Sequence, residues 1–150
     1  MISKLTFGYK KPTVHYILRP SCYAVIFKNI CSKMAIIQKG ERYFLPGGGM
    51  EGTETKEACL QRELLEELGW AIEIDRYIGN AARYFYAGKE DTYYLNDGFF
   101  YIAKMIKKQT ENCEEDHVLQ WMPPLLVMEH LIHAHQKWAV EQALLLRNKK

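Results

Sequence analysis

The stretch Leu45–Trp70, LPGGGMEGTETKEACLQRELLEELGW, joins three consecutive glycines to a segment crowded with glutamate. Its second half carries the marks of one helix. Thr55 can serve as N-cap, Glu57 falls in the first turn, and Gly69 is a natural stop just past the end. At about 100° per residue over roughly Lys56–Leu68, Glu63, Glu66 and Glu67 share one face. Leu60, Leu64, Leu65 and Leu68 lie opposite and are expected to enter a core. Carboxylates at such spacing repel by a few tenths of a kcal/mol, roughly, per pair in water. A solvated acidic face tolerates that cost. A hard divalent cation removes it by taking the oxygens as ligands, and magnesium characteristically binds protein carboxylates together with substrate phosphates.

The glycines bear on this choice. PGGGMEG reads as a flexible turn in which no Cβ blocks a ligand from backbone N–H and C=O groups, close to a helix N-terminus that favours anions. No Gly-Lys-Ser/Thr follows, so this is not a P-loop. Nor is it the G-x-G-x-x-G turn of a dinucleotide-binding unit.

The full spacing resembles the Nudix box of the Nudix (MutT-like) hydrolases, G-x5-E-x7-R-E-U-x-E-E-x-G-U, where U is bulky and apolar. Gly48 opens the pattern and Glu54 follows. Arg62, Glu63 and Leu64 stand as R-E-U, Glu66 and Glu67 as the E-E pair, and Gly69 closes it. Trp70 occupies the last position, where the family usually has an aliphatic residue. YFLPGG ahead of the box, and a Trp121-x-Pro segment ahead of a C-terminal helix, fit the same layout. The resemblance extends over most of residues 20–147.

That resemblance implies a Mg2+-dependent pyrophosphohydrolase that cleaves a nucleoside diphosphate linked to another moiety, releasing nucleoside monophosphate and phosphorylated product. It implies Glu63, Glu66 and Glu67 as catalytic carboxylates holding Mg2+ or Mn2+, with the backbone carbonyl of Gly48 completing part of the shell. Glu63 is the residue most often matched to proton abstraction from the attacking water. Glu54 and Arg62 are implied as an orienting pair. A further ligand or base from a late loop is common in the family, and ENCEEDH (residues 111–117) offers Glu115 or Asp116; a solvated loop fits those residues equally. Tyr84 and Tyr86 in RYFYAG are candidates to stack a base, and strand packing explains them as well. A non-hydrolytic, nucleotide-sensing Nudix domain is the alternative reading. The expected partner is a nucleotide or nucleotide derivative, with no stable nucleic acid partner and no membrane; a homodimer is compatible with the family.

Around the box, YAVIF and MAIIQ are short β-branched runs parted by a polar turn, and RYFLP is a third strand stopped by proline. AIEIDRYIG, ARYFYAG and FFYIAKMI read as further strands, with AGKEDTYYLNDG as a turn-rich connection. HVLQWM is another strand, and residues 125–147 have helical spacing in one broken helix or two. The order predicts an α+β chain with the Nudix fold, an α/β/α sandwich around a central mixed β-sheet. One domain spans residues 1–150, with residues 1–20 as an N-terminal extension or strand.

A net charge of +2 gives no push toward nucleic acid or an anionic membrane. Cys22, Cys31, Cys59 and Cys113 contain no C-x-x-C pair and read as reduced thiols. His130, His133 and His135 lack the H-E-x-x-H arrangement and read as surface histidines on a helix. With no export signal and no long apolar run, the cytoplasm is the expected compartment.

Overall fold

The computed structural model describes residues 5–28, 33–111 and 114–148, which leaves Cys31 and Cys113 outside the described residues. In chain order the elements are β1 (Leu5–Phe7), β2 (Ile17–Ile26), β3 (Met34–Lys39), β4 (Arg42–Phe44), β5 (Gly47–Gly49), α1 (Lys56–Leu68), β6 (Trp70–Ala87), β7 (Thr92–Lys108), β8 (Val118–Met122), α2 (Pro124–His130) and α3 (Ala134–Asn148). A five-stranded sheet has the order β1-β6-β7-β2-β5, and a three-stranded sheet the order β4-β3-β8. The larger sheet is mixed: β2 runs parallel to β7 and β1 parallel to β6, while β6/β7 and β2/β5 are antiparallel.

The apolar runs in β2 and β3 follow from burial on both faces. Cys22, Ala24 and Ile26 join Ala35 and Ile37 in a cluster closed by Leu60, Leu64 and Leu68 of α1. The alternate residues Tyr23 and Val25 join Met34 and Ile36 in a second cluster closed by Val127, Ala139, Val140 and Ala143 from α2 and α3. Period-2 alternation thus sends neighbouring side chains into two cores, one under each helical layer. Each fully buried Leu contributes about 1.5–3 kcal/mol. Leu65 departs from the expected apolar face: it is 40% exposed, at the edge of the stripe that Leu60, Leu64 and Leu68 define.

β2 and β3 are linked by a bridge at Phe27 and Met34, yet they enter different sheets. β2 has β7 on one side and β5 against Ser21–Tyr23 on the other, while β3 takes β4 and β8.

Two local readings change. Gly47–Gly49 is not a turn but a strand, with Cys22 paired to Gly48 and Tyr23 to Gly47. A Cβ on Gly47 would lie 2.0 Å from the carbonyl oxygen of Cys22, so glycine is what permits this approach. AIEIDRYIG and ARYFYAG form one strand, β6, and most of the supposed connection belongs to β7, with Phe85 opposite Tyr94 and Tyr86 opposite Tyr93. Only Gly88–Asp91 turns. Register shifts at Ala71/Ile72, Ile74/Arg76 and Tyr77/Gly79 break the alternation that would have shown a single strand.

Candidate active site

Helix α1 forms as its ends dictate. The Thr55 hydroxyl accepts the Ala58 N–H at 3.1 Å, and Gly69 adopts φ 73° while donating to the Leu65 carbonyl. A Cβ on Gly69 would meet the Thr110 carbonyl at 2.1 Å, so the stop is required by packing as well as by conformation. This places the glutamate face of α1 against β5.

The three glutamates grade from solvent to interior. The Glu66 side chain is 52% exposed, whereas Glu67 is 7% exposed. Glu67 Oε1 accepts the Gly47 N–H at 3.1 Å. A Cβ on Gly48 would lie 2.5 Å from Glu63 Oε2, so the missing side chain is what lets that carboxylate reach the β5 backbone. The Cys59 thiol donates to the Gly48 carbonyl at 3.7 Å.

Arg62 ties these parts together. Its Nε and Nη2 grip Glu54 at 3.0 and 2.7 Å, and Nη1 donates to Glu63 and Glu66 at 3.0 and 3.1 Å. Nη2 also donates to the Gly49 carbonyl at 3.0 Å. Only a planar guanidinium serves so many acceptors at once. The Arg62 hydrogen bonds, helped by the Glu51 N–H, hold Glu54 down at about 2. Glu54 and Arg62, expected as an orienting pair, are thus hydrogen-bonded to each other, and Arg62 ties the loop before α1 to β5.

Burial dominates at the other two inner acids. It raises Glu63, against the pull of Arg62, and pushes Glu67 up to about 8 against a single N–H from Gly47. A carboxyl buried this way gains from a cation. His117 Nδ1 lies 3.3 Å from Glu67 Oε2 and 2.6 Å from Glu114 Oε2, close approaches without hydrogen-bond alignment. Glu67, Glu114 and His117 each offer one ligand atom, all within 4.8 Å of one another. One buried carboxylate, one exposed carboxylate and an imidazole suit a divalent ion. Glu115 is exposed and takes no part in this group, and Asp116 turns to Lys39 at 3.6 Å.

A cleft of about 280 Å³ opens beside Glu67 and Gly47–Gly49, with Arg19, Tyr23, Asn96, Phe85, His133 and Gln136 among its walls. Gln136, buried at the start of α3, accepts the Leu45 N–H at 2.8 Å and so anchors the chain entering β5. Asn96 donates to Ser21 and Tyr23 and accepts from His135 at 3.0 Å. None of these stood out in the sequence, because each comes from an element distant from the box.

The histidines are not surface residues on one helix. Leu131 ends α2 in extended conformation, so His133 sits in the break before α3 and His135 is fully buried against Tyr23 and Phe100. Burial pushes them down to about 4 and about 3. Tyr84 packs edge-on against Tyr16, away from the cleft. Tyr86, bonded to Asp91, stands at the rim of an adjoining pocket. Strand alternation instead turns Phe85 to the cleft and Arg83 to the adjoining pocket, which the period of two in RYFYA could have indicated.

The sequence pattern of the NUDIX domain matches residues 28–144. The protein named Nudix hydrolase 18, mitochondrial, of Arabidopsis thaliana is 30% identical over 109 residues, which are 71% of this chain and 57% of that protein. The chain thus spans little more than half the length of this relative. Among solved structures, the MutT protein of Methanosarcina mazei Go1 superposes with a TM-score of 0.69 at 17% identity, covering 92% of this chain and 100% of that one. A NUDIX hydrolase of Nitrosomonas europaea gives 0.67 at 16% identity, covering 85% and 88%. At such identities the likeness is one of fold.

Proposed function

The chain belongs to the NUDIX domain family, and from that premise we propose that it is a divalent-cation-dependent pyrophosphohydrolase acting on a nucleoside diphosphate linked to a further group. The observation that carries this reading is the buried Glu67 carboxyl, aligned with Glu63 and Glu66 beside an accessible glycine strand. Glu63, Glu66, Glu67 and the Gly48 carbonyl are the proposed ligands, and Glu114 with His117 takes the late-loop place expected of Glu115. Bound there, Mg2+ or Mn2+ would neutralise the anhydride oxygens and acidify a water.

The chain's own groups do the rest. Arg62 holds Glu63 and Glu66 in place before any cation arrives, and Glu54 holds Arg62. Glu63 is the proposed acceptor of the water's proton, since burial raises its proton affinity while Arg62 limits the rise. Residues 1–150 act as one domain in this reading. The cytoplasm is the proposed compartment, consistent with Cys22 and Cys59 as free thiols. No helix among the described residues is long and apolar enough to cross a membrane.

The test is a panel of nucleoside triphosphates, dinucleoside polyphosphates, ADP-ribose and nucleotide sugars with Mg2+, comparing wild type with Glu67→Gln. Cation-dependent release of a monophosphate, lost in the variant, supports the hydrolase. Nucleotide binding with no turnover of any compound would instead support a sensing domain.

A further inference from the structure

The cleft continues into a second pocket of about 460 Å³ that contains no glutamate of the box. The two share Lys39, Arg42, Phe85 and His133. Arg83 lines the second pocket alone. It lies half-buried on β6, and its guanidinium has no carboxylate partner among the described residues. It is held by a neutral group instead: Nη1 meets Nδ1 of His133 in a short contact. Burial together with Arg83 and Arg42 pushes His133 down, which leaves a neutral imidazole whose Nδ1 can accept from Arg83. His133 is itself wedged between Phe44 and Phe85, with ring centroids 5.9 and 5.4 Å away.

A partly buried cation is costly unless something pairs it. Here the fold fixes the orientation of the guanidinium and gives it no ion-pair partner among the described residues: Glu90, the acid on the pocket wall, is taken by the Tyr94 hydroxyl, while Arg42 adds a second cation that rests over the Phe44 ring. A planar fork of this kind matches a carboxylate or a phosphoryl group. We propose that Arg83, positioned by His133, is a specificity-determining residue that binds a second oxyanion of the substrate, on the part remote from the anhydride held at the glutamates. This rests on the pyrophosphohydrolase reading and names its substrate class: a nucleotide derivative whose linked group is itself anionic.

Two matched pairs test it with Mg2+: UDP-glucose against UDP-glucuronate, differing by a carboxylate, and ADP-ribose against ADP-ribose 1″-phosphate, differing by a phosphate on the linked ribose. In one pair the anionic member is preferred in kcat/KM by about 10- to 100-fold, expressed in KM, as for a hydrogen bond to a charged group. Which pair responds separates carboxylate from phosphoryl. Arg83→Gln brings that ratio to within about threefold of one, and Arg83→Lys, which keeps the charge without the fork, retains part of it. His133→Phe, which keeps the ring packing without the acceptor, falls between. An unchanged ratio in Arg83→Gln overturns the assignment and leaves the hydrolase reading standing. Should that variant not fold, a wild-type ratio in Arg83→Lys overturns the role of the fork.

If wild type cleaves none of the four compounds, calorimetry with inorganic tripolyphosphate on EDTA-treated protein decides independently of turnover. Binding weakened about tenfold by Arg83→Gln but not by Glu67→Gln supports the subsite. Binding indifferent to Arg83 overturns it.

Discussion

The two ends of the cleft carry opposite charge and are assembled in opposite ways. At the glutamate end, Glu54, Arg62, Glu63, Glu66 and Glu67 all come from one short stretch of chain, and one arginine satisfies three of the four acids. At the basic end, Lys39, Arg42, Arg83 and Lys89, with the acid Glu90 beside them, come from β3, β4, β6 and the β6–β7 turn. In the proposed reading the acidic end accepts an anhydride through a bound cation, and the basic end takes an anion directly. The contrast would then give the two ends different jobs: chemistry at the first and selection at the second.

The largest effects lie at the glutamate end. Removing the cation with EDTA, or replacing Glu67 by Gln, lowers kcat by about 10³-fold, the scale of several kcal/mol of lost charge stabilisation. Steady-state rates with and without restored Mg2+ check both, and near-full turnover in Glu67→Gln would break the division of labour. Arg62→Lys keeps one positive charge but loses the shared grip on Glu54, Glu63 and Glu66. It costs about 10- to 100-fold in activity or metal affinity, measured by titrating Mg2+.

A third prediction concerns the floor near the basic end. Burial, His133 and Arg83 push His135 from 6.5 down to about 3. Below its ordinary value the unfolded chain takes up a proton that the folded chain refuses. Stability from this residue is thus fully present above pH 6.5 and declines as the pH falls through the window toward 3. The slope is about 1.4 kcal/mol per pH unit. Urea unfolding between about pH 7 and pH 4 should show a shallower decline for His135→Gln, which keeps a donor for Asn96 and does not titrate. The smallest effect belongs to Tyr84→Phe: turning away from the cleft toward Tyr16, it should change kcat/KM by no more than about twofold. A larger loss would extend the basic end to the other face of β6.

These contrasts also mark what sequence reading reaches. Helix α1 was legible to the residue, because a cap, a leucine stripe and a glycine stop act within a few turns. The Glu54–Arg62 grip was implied by the box for the same local reason. Leu65 fell outside the core because the buried stripe is narrower than the apolar pattern. The glycine run was misread, since only β2 lying alongside turns a flexible segment into a strand. β6 and β7 were cut into pieces because bulges disrupt period-2 alternation. His135 lies on a helix of weak polarity, and nothing in its neighbours' identities shows that Asn96 waits beneath it.

The sequence by itself determined the family, the box helix and the order of its acids, because those depend on spacing within a single helix and on one glycine's freedom at its end. Tertiary structure alone decided which glutamate is buried, which late residues meet it, and where Arg83, without an ion-pair partner among the described residues, sits. Each of those depends on distant strands and helices meeting in one register, and desolvation is a property of that meeting.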